Sequence, residues 1–210
     1  MRIIESASEM LKNTQEHNDL VKSLTPLIET IRGSEKAKDV LKSTGTGVFQ
    51  NRFKQSARRM RIFKEDAKIS GTSEITTLRK AFLYLALFET SVINLIDLVI
   101  MLFVANDHDF YVYRNRKYAK KLDDLDDSSL SEKLDFLNHH KLQIFSQHIN
   151  RKLRNVIAHM DFDIEADERI AHNQQKFNLQ HEIILLEAFV LVVGNALREC
   201  RLPELLSELS

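Results

Sequence analysis

The sequence predicts an all-α fold, and three observations carry that reading. Five glycines and two prolines in 210 residues supply few turn-forming positions for a many-stranded protein. Leu, Ile, Lys and Glu are abundant, which favours long helices. Apolar residues also recur at helical rather than alternating spacing over most of the chain. The length suits one domain, or one domain with an appendage, and allows a sizeable core. With 43% hydrophobic and 29% charged residues the composition is that of a soluble globular protein. The formal net charge is zero, so any pull on nucleic acid or membrane must be local.

Taken in order, residues 3–31 place Ile3, Ala7, Met10, Thr14, His17, Val21, Leu24, Ile28 and Ile31 in steps of four and three, a helical seam. Thr25-Pro26 reads as a cap and first helical residue, so a break is expected there. The seam predicts packing on the rest of the chain, with a dimerising helix as the sharper alternative. STGTG at 43–47 is the most turn-like stretch and should end this unit. Residues 48–64 then carry Arg52, Lys54, Arg58, Arg59, Arg61 and Lys64 with no acid between 40 and 64. Phe49, Phe53, Met60 and Phe63 interleave, so a basic amphipathic helix is expected, either a solvated face or a grip on a phosphate backbone. Residues 1–70 carry a net charge of +5. The expected division is an N-terminal helical extension, 1–70, and a second helical domain, 71–210.

A long apolar helix should open near Thr72 or Ser73. Its stretch 81–105 is long enough to cross a bilayer, but Glu89, Asn94 and Asp97 interrupt it, so a buried core helix is the better reading. Thr90, Asn94 and Asp97 form one polar stripe. They are expected to bond one another and nearby backbone, with Glu89 or Asp97 free to steady a cation from another helix. Residues 107–130 read as a long connection, with Ser129 or Ser131 capping the next helix. One further helix is expected from about Lys141 to Ala158, then a small β-hairpin near residues 161–171. Asn178 should cap a last long helix, apolar almost all round and therefore buried, and Pro203 should start a short terminal one.

The end of the Lys141–Ala158 segment concentrates chemistry. In RKLRNVIAH, Asn155 and His159 are four residues apart and share a helix face, with Arg151 one turn earlier. Arg154 stands about 140° round from His159 and reaches the same ligand only by its length. Arg154-Asn155 followed three residues later by Ala158-His159 resembles the R-x4-6-H signature of HEPN domains. The order of segments is similar too: a long helix bearing Phe88-Glu89, an insertion, the motif at a helix end, and a final apolar helix. The resemblance spans about residues 74–200 and leaves the first 70 uncovered. It implies a HEPN-like helical bundle, usually dimeric, and a metal-independent endoribonuclease of toxin–antitoxin or antiphage systems, with an antitoxin or defence-system protein as partner. Some HEPN proteins only bind, which makes a non-catalytic interaction or RNA-binding module the alternative.

The residue types suit RNA cleavage. Attack by the 2′-hydroxyl needs one group to take its proton and another to protonate the leaving 5′-oxygen. An imidazole serves either role near neutral pH, and a guanidinium offers paired donors to the phosphorane. His159 is therefore the expected acid or base, Arg154 the phosphorane ligand and Asn155 the orienting group, with Glu89, Asp97 and Arg151 in support. One motif supplies one imidazole, so a homodimer sharing a cleft would complete the pair. A purely structural reading has Arg154 paired with Glu89 or Asp97 and His159 bonded to backbone at the helix end. His139, His140, His148 and Asp135 make a poor metal cage, and His172 and His181 read as surface residues flanking a loop. No cofactor or metal is expected. Cys200 stands alone and MRIIESASEML lacks an apolar export run, so a cytoplasmic setting is the expectation, with no membrane partner.

Overall fold

The structure, a computed structural model, describes residues 15–43, 46–66, 68–69 and 71–209 and is mostly helical. Thr14 and the seam residues before it lie outside the described residues, as do Thr44 and Gly45 of the STGTG turn. The helices are α1 Gln15–Gly33, α2 Glu35–Ser43, α3 Thr46–Asp66, α4 Ser73–Leu87, α5 Ile93–Ala105, α6 Leu130–His139, α7 Ile144–Gln147, α8 Arg151–Ala158, α9 Leu179–Glu199 and α10 Leu202–Glu208. A π-helical turn, Phe88–Val92, joins α4 to α5 into one rod.

His17, Leu20, Leu24, Ile28 and Ile31 bury the seam of α1, which packs on α9 of the same chain. His17 meets Glu199 at 3.2 Å, and the Thr25 hydroxyl meets Cys200 Sγ at 3.3 Å. The seam from His17 to Ile31 is thus filled from within. The expected break at Thr25-Pro26 is absent, because α1 runs through Pro26. Pro26 and Lys22 both lie exposed, so the carbonyl that proline leaves without an amide donor faces water. α2 packs on α5 and α3 on α4, and one hydrophobic cluster runs from Leu20 to Leu209. The division near residue 70 therefore does not separate two cores.

Thr72 caps the long rod, its hydroxyl accepting the Ile75 amide at 3.4 Å. Ser73–Ala105 and α9 are each long and apolar enough to cross a membrane, but 78% of the most apolar window of the first is buried inside the chain. The polar stripe turns inward on itself as expected. Thr90 donates to the Ala86 carbonyl at 2.6 Å and Asn94 donates to the Thr90 carbonyl. Asp97, 1% exposed, pairs with Lys133 of α6 at 2.7 Å. α9 is less enclosed than its composition suggests, with Leu185 and Leu191 exposed.

The connection after α5 holds a short antiparallel pair, β1 Tyr111–Val112 with β2 Lys117–Tyr118, and a 3-10 turn, Leu122–Asp127. Ser129 and Glu132 then form a reciprocal capping box at α6. The single helix expected over 141–158 is two. Asn150 interrupts it, its side chain accepting the Leu153 amide at 3.0 Å and so starting α8 afresh. The expected hairpin is present and gains a third strand: β3 Asp163–Ile164, β4 Ile170–His172 and β5 Gln175–Phe177, all antiparallel. Asn173 and Gln174, both at positive φ, make the two-residue turn between β4 and β5. Asn178 caps α9 and Pro203 lies in the first turn of α10.

Burial pushes the Asp97 carboxyl up to about 6 from 3.8, against the pull of the Lys133 ammonium. Between those values the folded chain holds a proton that the unfolded chain has released, so this group's contribution to stability falls as pH rises. Urea unfolding of the parent and of Asp97→Asn at several pH values should show the parent's relative stability declining from about pH 3 to about pH 7, by on the order of 3 kcal/mol in all, and level above. A difference independent of pH would contradict the assignment.

Candidate functional site

The site is built on α8, and the long rod holds α8 in place. Leu153, Val156 and Ile157 form its buried face, and the helix packs on α4. Tyr84 of α4 donates its hydroxyl to the Asn150 carbonyl at 3.3 Å, at the helix start. Midway along α8, Arg154 Nε donates to Glu89 Oε1 at 2.6 Å, and Nη2 lies 2.5 Å from the same oxygen. Glu89 sits in the π-helical turn, where the rod's backbone departs from α-geometry; such turns recur at functional sites. Further back on α4, Lys80 pairs at 2.8 Å with Glu168 in the loop joining β3 to β4. The rod thereby carries both α8 and the small sheet.

α8 stops at His159 by a Schellman turn. Met160 adopts φ 55°, its amide bonding Ile157 O at 3.0 Å while the Asp161 amide bonds Val156 O at 2.9 Å. The chain turns out of the helix axis and feeds the sheet. His159 is left exposed at the corner, and among the described residues none forms a hydrogen bond or ion pair with its imidazole. The expected backbone bond from this ring is therefore not made.

His159 lines an open depression together with Lys152, Asn155, Val156, Asp161 and His172. Arg154 is not a wall of that depression. Its Nη1 instead donates to Asn155 Oδ1 at 3.0 Å, so Asn155 links the guanidinium to the imidazole's surroundings. Two of the expected supports lie elsewhere. Arg151 donates to Ser131 Oγ at 3.1 Å, towards α6, and Asp97 is engaged by Lys133 in the core. Lys152 takes the place expected of Arg151. The reason is angular: at 100° per residue Lys152 falls about 20° from His159 round the helix, and Arg151 about 80°.

His172 is not a loose surface residue. Its side chain is 15% exposed, Nδ1 lies 2.7 Å from the Asp161 carbonyl and 3.4 Å from Asp161 Oδ2, and Nε2 lies 2.7 Å from Asn173 Nδ2. Local spacing gave little hint of this placement, because it depends on β3 and β4 folding back against the helix end. Among the described residues no group of three or more His, Cys, Asp or Glu is placed to hold a metal ion.

The basic helix α3 divides into two kinds of cation. Arg52 donates to Asp126 at 2.8 and 3.1 Å and to Asp123 at 3.2 Å, and Lys64 pairs with Glu187 of α9. These two already serve to hold α3 against the chain, because acids from the 3-10 turn and α9 face them. Lys54, Arg58, Arg59 and Arg61 are exposed and form no ion pair among the described residues. Neither a protein-family model, nor a curated protein, nor a solved structure matches the chain. The HEPN resemblance thus rests on the quoted residues and their order.

Replacing Asn150 by Ala removes the side-chain cap that separates α7 from α8. It should lower unfolding free energy by about 1 kcal/mol in urea titrations, and no loss would show that Tyr84 alone holds this helix start.

Proposed function

We propose that this protein is a HEPN-type, metal-independent endoribonuclease that cleaves RNA by attack of the substrate's own 2′-hydroxyl. The observation that carries the reading is the uncommitted His159 imidazole, exposed at a helix corner beside Asn155 and Lys152. An imidazole in that state is available to exchange a proton with a bound phosphodiester. Arg154, oriented by Glu89 and tied to Asn155, retains N–H donors beyond those bonds and meets phosphorane charge by extending along α8. The exposed cations Lys54, Arg58, Arg59 and Arg61 offer a phosphate-backbone grip, so RNA affinity should fall with salt. A homodimer, and an antitoxin or defence-system partner, belong to the same proposal and rest on the resemblance.

The second reading is a non-catalytic RNA-binding or interaction module. The Arg154–Glu89 pair favours it, since a guanidinium already bonded to a carboxylate also serves simply to fasten α8. Cleavage of total cellular RNA with EDTA present separates the two. The parent should cut, while His159→Ala and Arg154→Ala keep the parent's circular dichroism and lose about 10²-fold or more in rate. Parental rates in either variant would remove that residue from the mechanism, and a parent that binds RNA without cutting it would leave the binding module.

Charge reversal of Arg58, Arg59 and Arg61 to Glu should weaken RNA binding at low salt by at least about tenfold and flatten its salt dependence. Filter binding across a salt series measures both effects.

A further inference from the structure

Resting on that reading, we infer that His172 is the second proton-transfer group of the same site and Lys152 its phosphate-facing cation, so that one chain carries the complete set. Cleavage by 2′-hydroxyl attack needs two proton-transfer partners, and the motif itself supplies only His159. The fold supplies the other. His159 ends α8, His172 ends β4, and the two line one depression with Lys152, Asn155 and Asp161.

The orientation of His172 assigns its role. The Asp161 carbonyl oxygen only accepts, so the contact at 2.7 Å requires a hydrogen on Nδ1. In the neutral ring this leaves the lone pair on Nε2, where the Asn173 amide donates to it at 2.7 Å. To act as the general base the Nε2 lone pair exchanges this amide for the substrate hydroxyl, while Nδ1 stays fixed on the Asp161 carbonyl. The Asp161 carboxylate, 3.4 Å from Nδ1, stabilises the ring once it has taken a proton. His159, exposed and with no hydrogen-bond partner on its imidazole among the described residues, takes the part of the acid.

The step then balances. Nε2 of His172 takes the 2′-hydroxyl proton as the 2′-oxygen bonds to phosphorus. The P–O5′ bond breaks with its electron pair on O5′, and His159 protonates that oxygen. The products are a 2′,3′-cyclic phosphate and a free 5′-hydroxyl. Lys152, exposed and without an ion pair among the described residues, faces the non-bridging oxygens where negative charge grows.

The test uses the full chain with EDTA. Cut sites are first mapped in total cellular RNA, and a synthetic RNA spanning the strongest site is then assayed across pH. The parent should give a bell-shaped rate profile. His172→Gln and His172→Ala should lose about 10²-fold or more in rate and lose the acidic limb. Lys152→Ala should be slowed and Lys152→Arg partly restored.

A substrate with sulfur in place of the leaving 5′-oxygen needs no acid, so it should rescue His159→Ala and leave His172→Gln inactive. The rescued His159→Ala enzyme should still show the acidic limb, which reads the second imidazole without altering it and decides the matter if the His172 variants fail to fold. An equimolar mixture of His159→Ala and His172→Gln should remain inactive. Parental rates in folded His172 variants, a missing limb in the rescued enzyme, or activity restored by mixing would each overturn the inference and leave the endoribonuclease reading standing. A parent that cuts no RNA would overturn both.

Discussion

The arrangement depends on the attachment of α8 to the long buried rod. An eight-residue helix has too few backbone bonds to persist alone, and its position is set by what it touches. Tyr84 fixes its beginning, Glu89 its middle, and Leu153, Val156 and Ile157 its buried side. The rod bearing these contacts is enclosed by α2, α3, α6 and α9. Lys80 extends the same support to the sheet through Glu168. The depression lined by a helix end and a strand end is thereby referred to one element.

The charge layout separates fastening from availability. Arg52, Lys64, Arg154 and Lys133 each face a carboxylate, and the elements bearing them are held together by those pairs. Lys54, Arg58, Arg59, Arg61 and Lys152 remain in solvent. Most of the fastening pairs are partly exposed and contribute modestly to stability. The exception is Asp97–Lys133, enclosed on both sides, where burial raises the carboxyl and the core carries a cost for specificity of helix placement.

Much of the helical fold was legible because it is written in local chemistry. Thr72, Ser129 and Asn178 announce helix starts by side chains that cap amides three residues on, and each does so. The seam of His17, Leu24, Ile28 and Ile31 needed only helical spacing. The break expected at Pro26 does not occur, because proline removes one hydrogen bond without forbidding a helix on an exposed face. The split at Asn150 is not legible in the sequence, because an asparagine inside an apolar pattern resembles any polar surface position until its side chain turns back to an amide. At the site, Asn155 and His159 shared a face as expected, and Glu89 reached Arg154. His172 and Asp161 were beyond reach, since only the fold-back of β4 on the helix end brings them beside His159. Lys152 stands where Arg151 is expected, a difference of one residue's rotation.

The wider turn at Phe88–Val92 has a further consequence. A π-helical turn houses one residue more than the α-helical turn it replaces. Deleting any one of those five positions would let the rod relax to regular winding with its two halves still nearly in phase, because the wide turn already absorbs the extra residue. Lys80 and Tyr84 lie before that joint and Asp97 after it. A shortened rod would thus keep Lys80, Tyr84 and Asp97 in phase, and the contact at stake would be that of Glu89, carried by the wide turn itself, with Arg154.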